Sequence, residues 1–299
     1  MKKSLFYIIL AGLLWGTSAI FVKVLAPYGF TPFQMTAVRG LVSFICTAGF
    51  ALIFNRKLFK VKPKNLIFFV GIGATLFLTA SCYYTAMQMT SVSTAVVLMY
   101  TSPLYVTVFS AIFLGERLSP LKIGAIALML VGCALVSGVV GGLRFDLVGI
   151  LIGILSGLTY ASYNIITKIT LRIGSNPVST NVYSFLFMSI IAFFFAEPAK
   201  LIESAAAEPL ASIPLLIGLG VCTFVLPYLL YTSSMKTLSA GSASALAIVE
   251  PMAATLYGII IFGEIPDVFS IVGIVLILTA VVLIGIAEEM LNKKKTENL

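Results

Sequence analysis

Apolar runs of roughly twenty residues recur from one end of this chain to the other, each about long enough to cross a hydrocarbon core near 30 Å. Ten can be drawn, over residues 4–26, 32–54, 66–89, 92–114, 121–140, 147–171, 178–197, 212–235, 239–262 and 268–287. A soluble domain carries about 45–50% apolar and 25% charged residues. This chain of 299 residues has 60% and 10%, with a mean hydropathy of +1.11. The surplus apolar surface needs lipid as its solvent, so the fold class is an all-α integral membrane protein. A membrane barrel would instead show alternating segments of about ten residues, and only helices or closed barrels satisfy their backbone groups in lipid.

The gaps between runs hold the chain's punctuation: Pro27 and Pro32, Pro63, Pro120, Gly141-Gly142, Pro177, Pro198, Pro209 with Pro214, and Pro266. They also hold most of its charge. A net charge of +8 could suggest nucleic acid, but the cations sit where membrane orientation is decided. With the N-terminus inside, the inner gaps carry Lys2, Lys3, Arg56, Lys57, Lys60, Lys62, Lys64, Arg117, Lys122, Arg172, Lys236, Lys293, Lys294 and Lys295. The outer gaps carry Arg144 and Lys200, with Lys23 at an outer helix end. Both termini are therefore expected inside a cell membrane, and no nucleic-acid partner is expected. The start, Met1-Lys2-Lys3 and a long apolar run, reads as a retained first helix rather than a cleaved signal.

The chain is written twice. Leu14-Trp15-Gly16-Thr17-Ser18, Lys23 and Thr31-Pro32 correspond to Thr159-Tyr160-Ala161-Ser162-Tyr163, Lys168 and Asn176-Pro177, 145 residues on. Tyr83, Met87, Pro103 and Gly115-Glu116 correspond to Tyr231, Met235, Pro251 and Gly263-Glu264, 148 residues on. The expected units are residues 1–142 and 143–290, followed by a charged cytoplasmic tail over 291–299. Five helices per copy is an odd number, so the second copy must lie upside down in the bilayer. Inverted repeats of this kind are a recurrent transporter architecture, with the cargo site near the midplane.

In the order and spacing of these motifs the chain resembles the EamA family of the drug/metabolite transporter superfamily over nearly its whole length. The residues that carry the resemblance are Leu14-Trp15-Gly16, Pro32 with Arg39, the hairpin Thr90-Ser91-Val92-Ser93-Thr94-Ala95, and Pro103 with Gly115-Glu116. The second copy adds Leu238-Ser239-Ala240-Gly241-Ser242-Ala243 and Glu250-Pro251 with Gly263-Glu264. The resemblance implies ten transmembrane helices as two inverted five-helix repeats around a central cavity lined by helices 1, 3, 4, 6, 8 and 9. It also implies export of amino acids or related metabolites. Tyr160-Ala161 departs from Trp15-Gly16, so the two halves are not expected to line the cavity identically.

Glu250 is the one carboxylate set deep in an apolar run. A charge at the centre of a membrane helix costs about 2.5–3.5 kcal/mol on insertion scales and is expected to face the bundle interior or water. It reads as a cargo or proton site, or as an acceptor for donors freed beside Pro251. Pro103 and Pro251 are expected in mid-helix, leaving carbonyls one turn earlier without partners and letting the helices bend as gates. Trp15, Tyr84, Tyr100, Tyr160, Asn164 and Tyr231 are candidate cavity residues, since aromatic rings with polar tips suit an amphipathic cargo; Tyr163 and Tyr228 belong with them. Tyr160, Asn164 and Lys168 recur every four residues and share a helix face. Arg39 lies roughly 10 Å along its helix from Pro32, where it snorkels outward to anchor the helix, meets a substrate carboxylate or caps a helix end. Lys23 and Lys168 either snorkel too or form matched cation sites near opposite faces. Glu116 and Glu264 follow glycine at helix ends, where their charges are expected to stay wet. Gly149, Gly153 and Gly157 read as close helix packing, within a monomer or in a homodimer.

The chain has no histidine, and Cys46, Cys82, Cys133 and Cys222 stand singly, without metal-ligand spacing. Neither an enzyme nor a metal site is expected. There is no Walker motif and no cofactor is implied. The function that emerges is secondary transport of small organic metabolites, amino-acid-like or bearing carboxylate or amine groups, outward by alternating access. Import or exchange of drug cations, sugars or nucleotide-sugars is the alternative within that class; a membrane scaffold or lipid-flipping partner is the alternative outside it.

Overall fold

The structure, a computed structural model, describes residues 2–90, 92–116, 119–136, 146–263, 265 and 267–297. Ser91, Arg117, Gly141, Gly142, Arg144, Glu264, Pro266 and the boundary between residues 142 and 143 lie outside the described residues. The chain runs through α1 (Lys2–Gly16), α2 (Ser18–Leu25), α3 (Pro32–Phe54), α4 (Leu66–Met89), α5 (Val92–Met99), α6 (Ser102–Leu114), α7 (Pro120–Val136) and α8 (Leu147–Arg172). It continues through α9 (Pro177–Phe193), α10 (Pro198–Ala207), α11 (Pro209–Gly220), α12 (Leu226–Ser234), α13 (Ala240–Leu246), α14 (Val249–Phe262) and α15 (Val268–Glu297).

Among the described residues, eight apolar stretches are long enough to cross a membrane, and a ninth if α9 and α10, bent by 96°, count as one. The described part of α7, 17 residues, reaches about 25 Å at 1.5 Å per residue. Large apolar side chains such as Ile53, Phe54, Ile112, Phe113 and Ile260 point outward and are exposed, which is stable only against lipid. One sequence expectation needs correction. The run drawn to residue 197 ends at Phe193; the chain then turns at Glu197, in the left-handed region at φ 47°, and Pro198 restarts it as α10. α15 continues through the first residues of the expected tail, as far as Glu297.

Four spans are interrupted. α1 and α2 part at Thr17, α11 and α12 are joined by a π turn over Val221–Val225, α5 and α6 part at Tyr100-Thr101, and α13 and α14 part at Ala247-Ile248. The last two correct the expectation for Pro103 and Pro251. Neither stands in mid-helix; each lies in the first turn of a restarted helix, where a missing N–H costs nothing. Short bonds bridge both breaks, from Leu104 N to Thr101 O and from Glu250 N to Ala247 O, each at 3.0 Å. Ala247 O therefore has a partner.

The packing repeats when corresponding helices are exchanged. α4 lies against α8 as α12 lies against α1; α4 against α9 as α11 against α3; α5 and α6 against α8 as α14 against α1. The α3–α9, α7–α15 and α6–α13 contacts join the two copies across their own equivalents. Gly115 and Gly263 end α6 and α14 in the left-handed conformation, at φ 62° and 66°, which is why both Gly-Glu motifs carry glycine.

Close approach is strictest where backbone meets backbone. A Cβ at Gly73 on α4 would lie 2.7 Å from Ser184 O and 2.8 Å from Met188 N on α9. Gly73→Ala is expected to lower the thermal unfolding midpoint in detergent, at a cost of about 1–3 kcal/mol for overpacking. Gly124→Ala, with nothing within 4 Å, should leave it unchanged or raised.

Candidate functional site

The site is built where the two broken spans press on the opposite copy. A Cβ on Gly12 of α1 would touch Val249 and Glu250 N, and one on Gly16 would lie 3.1 Å from Glu250 O. The corresponding Gly157 of α8 lies against Leu98 O, Met99 O and Thr101. Each break is thus seated on a glycine of the other copy, which brings Tyr100 and Glu250 to the middle of the bundle from opposite sides. There the Tyr100 hydroxyl donates to Glu250 Oε2 at 2.6 Å. Tyr100 is buried, whereas Glu250, enclosed by protein, keeps accessible surface of its own. A carboxylate in that position can receive a further donor.

A cluster of aromatic side chains lies near the pair, with Tyr160 and Tyr228 within electrostatic reach of Glu250. The Trp15 ring meets those of Tyr228 and Tyr231, with centroids 5.1 and 5.2 Å apart. Tyr163 lies 5.7 Å from Tyr160, stacked, and 5.8 Å from Tyr228, edge-on. Such pairs add about 0.5–1.5 kcal/mol beyond their burial and hold the rings in place. Asn164 ties them to the backbone: its amide donates to Tyr160 O at 2.8 Å and its oxygen accepts from the Tyr231 hydroxyl. The face shared by Tyr160, Asn164 and Lys168 therefore points inward, and all three are buried.

Arg39 does not snorkel. It is 8% exposed, donates from Nη1 to the Tyr84 hydroxyl at 3.0 Å and sits 5.8 Å over the Phe224 ring. Its charge lies within electrostatic reach of Glu250, so one cation and one carboxylate face the same interior.

The matched lysines part company. Lys23 is exposed, whereas Lys168 is buried and donates to Met235 O and Leu238 O, the carbonyls that lead from α12 into α13. Lys168 pins a hairpin and lines no surface site. Glu116 also departs from expectation. Its side chain is 9% exposed and 3.7 Å from Arg172, and both oxygens accept from Ala240 N, at 3.0 and 3.1 Å. It closes the N-terminus of α13, where a negative charge is favoured. Gly149, Gly153 and Gly157 pack on Met89, Thr90 and Leu98 of the same chain, so the stripe serves the monomer.

Sequence reasoning missed Glu288. It lies one residue past the tenth run, yet it is 4% exposed, accepts from the hydroxyls of Ser239 and Ser242, and faces Lys122 at 3.9 Å. Lys122 Nζ in turn donates to Ser239 Oγ at 2.7 Å. The signal was the run of small residues over 239–245, which lets α13 bury completely and cover both charges.

The sequence model of the EamA-like transporter family matches this chain twice, over residues 2–138 and 147–286. The chain is 30% identical over 276 residues to an uncharacterized transporter of Archaeoglobus fulgidus, covering 92% of this chain and 94% of that one. It is 28% identical over 299 residues to an uncharacterized transporter of Clostridium kluyveri, covering 93% and 91%. One solved crystal structure matches with a TM-score of 0.78 at 18% identity, covering 97% of this chain and 99% of the other, a likeness of fold alone.

Proposed function

Given that the chain belongs to the EamA-like transporter family, we propose that it exports a small amine-bearing metabolite across the cytoplasmic membrane by alternating access around Glu250. The observation that carries this reading is the Tyr100–Glu250 hydrogen bond. It joins the two broken spans at a carboxylate that is enclosed by the bundle yet keeps accessible surface. An ammonium group offers Glu250 a stronger, charge-assisted bond than a phenol does, so cargo can compete with Tyr100 and loosen the link between the copies. The aromatic rings beside it suit an organic cation. Arg39 extends the range to amino-acid-like cargo, whose carboxylate it can meet.

In this reading ten helices cross the membrane as two inverted units, residues 1–142 and 143–290, with both termini and the Asn55–Asn65 connection in the cytoplasm. The copies rock against one another at the breaks before Pro103 and Pro251. The cytoplasmic end is closed by α13, which Lys168, Glu116 and the Lys122–Glu288 pair hold in place.

The test is transport by the purified protein in proteoliposomes, with labelled amines, amino acids, simple carboxylates and sugars. Amines and amino acids are expected to move and carboxylates lacking an amine are not. Movement of carboxylates or sugars alone would overturn the assignment of cargo, and movement of none would overturn the transport reading itself.

A further inference from the structure

The connection between α3 and α4 is a second site, away from the cavity. It carries five cations, Arg56, Lys57, Lys60, Lys62 and Lys64, and all are exposed. Among the described residues none is paired with a carboxylate, and the chain has no acidic residue before Glu116. Clusters of four to eight basic residues beside a membrane helix attract anionic headgroups, but charge alone would mark only orientation.

Two further observations make it a site. A shallow, open cleft of about 560 Å³ lies at the end of α3, lined by the six consecutive residues Leu52, Ile53, Phe54, Asn55, Arg56 and Lys57. Its apolar side is Ile53, 78% exposed, and Phe54, 71% exposed, with the Phe54 ring 4.8 Å from that of Phe50; its cationic side is Arg56 and Lys57. The connection is also held in shape from the other copy. Ser179 Oγ and Tyr183 OH donate to Leu58 O and Phe59 O, both at 2.8 Å, and Asn65 Nδ2 donates to Ser175 Oγ at 3.1 Å. Asn55 Oδ1 accepts from Lys57 N at 3.1 Å, and Arg56 Nε donates to Leu52 O at 3.3 Å. A loop so fixed loses little entropy on binding.

We propose that this cleft binds an anionic phospholipid, its phosphate on Arg56 and Lys57 and its acyl chain along Ile53 and Phe54. A free anion would leave the apolar wall unused; a zwitterionic lipid would leave the cations uncompensated. Because α9 of the second copy holds the loop of the first, the lipid would brace the two copies against each other, giving the transporter a dependence on membrane composition.

The full-length protein in neutral detergent is titrated with phosphatidylglycerol, phosphatidylcholine or inorganic phosphate. Bound lipid is counted by native mass spectrometry and Tm is recorded alongside. Phosphatidylglycerol is expected to saturate and to raise Tm, with an affinity that falls as ionic strength rises. Arg56→Gln/Lys57→Gln should weaken it roughly 25-fold, about fivefold per cation, with the lipid-free Tm unchanged because both side chains are exposed. Lys2→Gln/Lys3→Gln should bind as the parent does. Equal binding of phosphatidylcholine, full displacement by phosphate, salt-insensitive binding, or an unaffected double variant would each overturn the proposal.

Discussion

Glu250→Gln is expected to weaken binding of an amine-bearing cargo about 100-fold in the proteoliposome assay while the protein stays folded. Removing one member of a buried hydrogen-bonded charge pair costs about 2–5 kcal/mol, and every ~1.4 kcal/mol is tenfold in affinity. The substitution keeps the side chain's shape and an oxygen for the Tyr100 hydroxyl, now 2.6 Å from Oε2, so the loss falls on the cargo and not on the fold. Tyr100→Phe removes only the donor. A hydrogen bond to a charged group contributes about 1.5–3 kcal/mol, and its removal frees Glu250 for cargo. Binding should therefore tighten or hold while the maximal rate falls, because the link that re-forms between the copies when cargo leaves is gone. Unchanged affinity in Glu250→Gln would remove Glu250 from the cargo site. A loss of affinity in Tyr100→Phe equal to that in Glu250→Gln would mean that the pair acts as structure alone.

The parts of the fold that were legible in the sequence depend on local composition. Run length located the apolar helices, and the repeated Gly-Glu motif marked two helix ends whose left-handed glycines the structure shows at Gly115 and Gly263. Glu250 could be singled out because an acid amid apolar neighbours is conspicuous without any tertiary information. The rest is decided by what folds over what. Pro103 and Pro251 announce a disturbance but not its position, since the helix breaks two to four residues earlier, where Gly157 and Gly12 of the other copy admit the irregular backbone. Lys23 and Lys168 match in sequence and differ in burial because the hairpin that reaches Lys168 closes over it. Glu116 sits at a helix end, as a wet residue would, yet α13 comes down on top of it. For Lys168 and Glu116 the missing information is the position of α13, a helix of seven residues whose run of small residues hints at burial without saying what it covers.

That helix carries the largest expected effect on stability. Lys122→Met and Glu288→Met are each expected to cost about 3–5 kcal/mol, the usual penalty when one partner of a buried pair is removed and the other is left uncompensated. The side chains are 2% and 6% exposed, so neither can turn to water without moving a helix. Among the described residues, Glu288 would keep two serine hydroxyls after loss of Lys122, whereas Lys122 would keep one, that of Ser239, with the charge of Glu116 farther off. The second variant should therefore be the less stable of the two. The double variant Lys122→Met/Glu288→Met should recover most of the loss, because replacing a buried pair by apolar side chains of similar volume is often neutral or stabilising. Thermal unfolding of all four proteins in one detergent forms a double-mutant cycle that isolates the pair. If the single losses simply add in the double variant, Lys122 and Glu288 act independently, and α13 is held by Lys168 and Glu116 without them. If the double variant is stable but leaks its cargo in both directions, the pair is what keeps α13 closed over the end of the cavity.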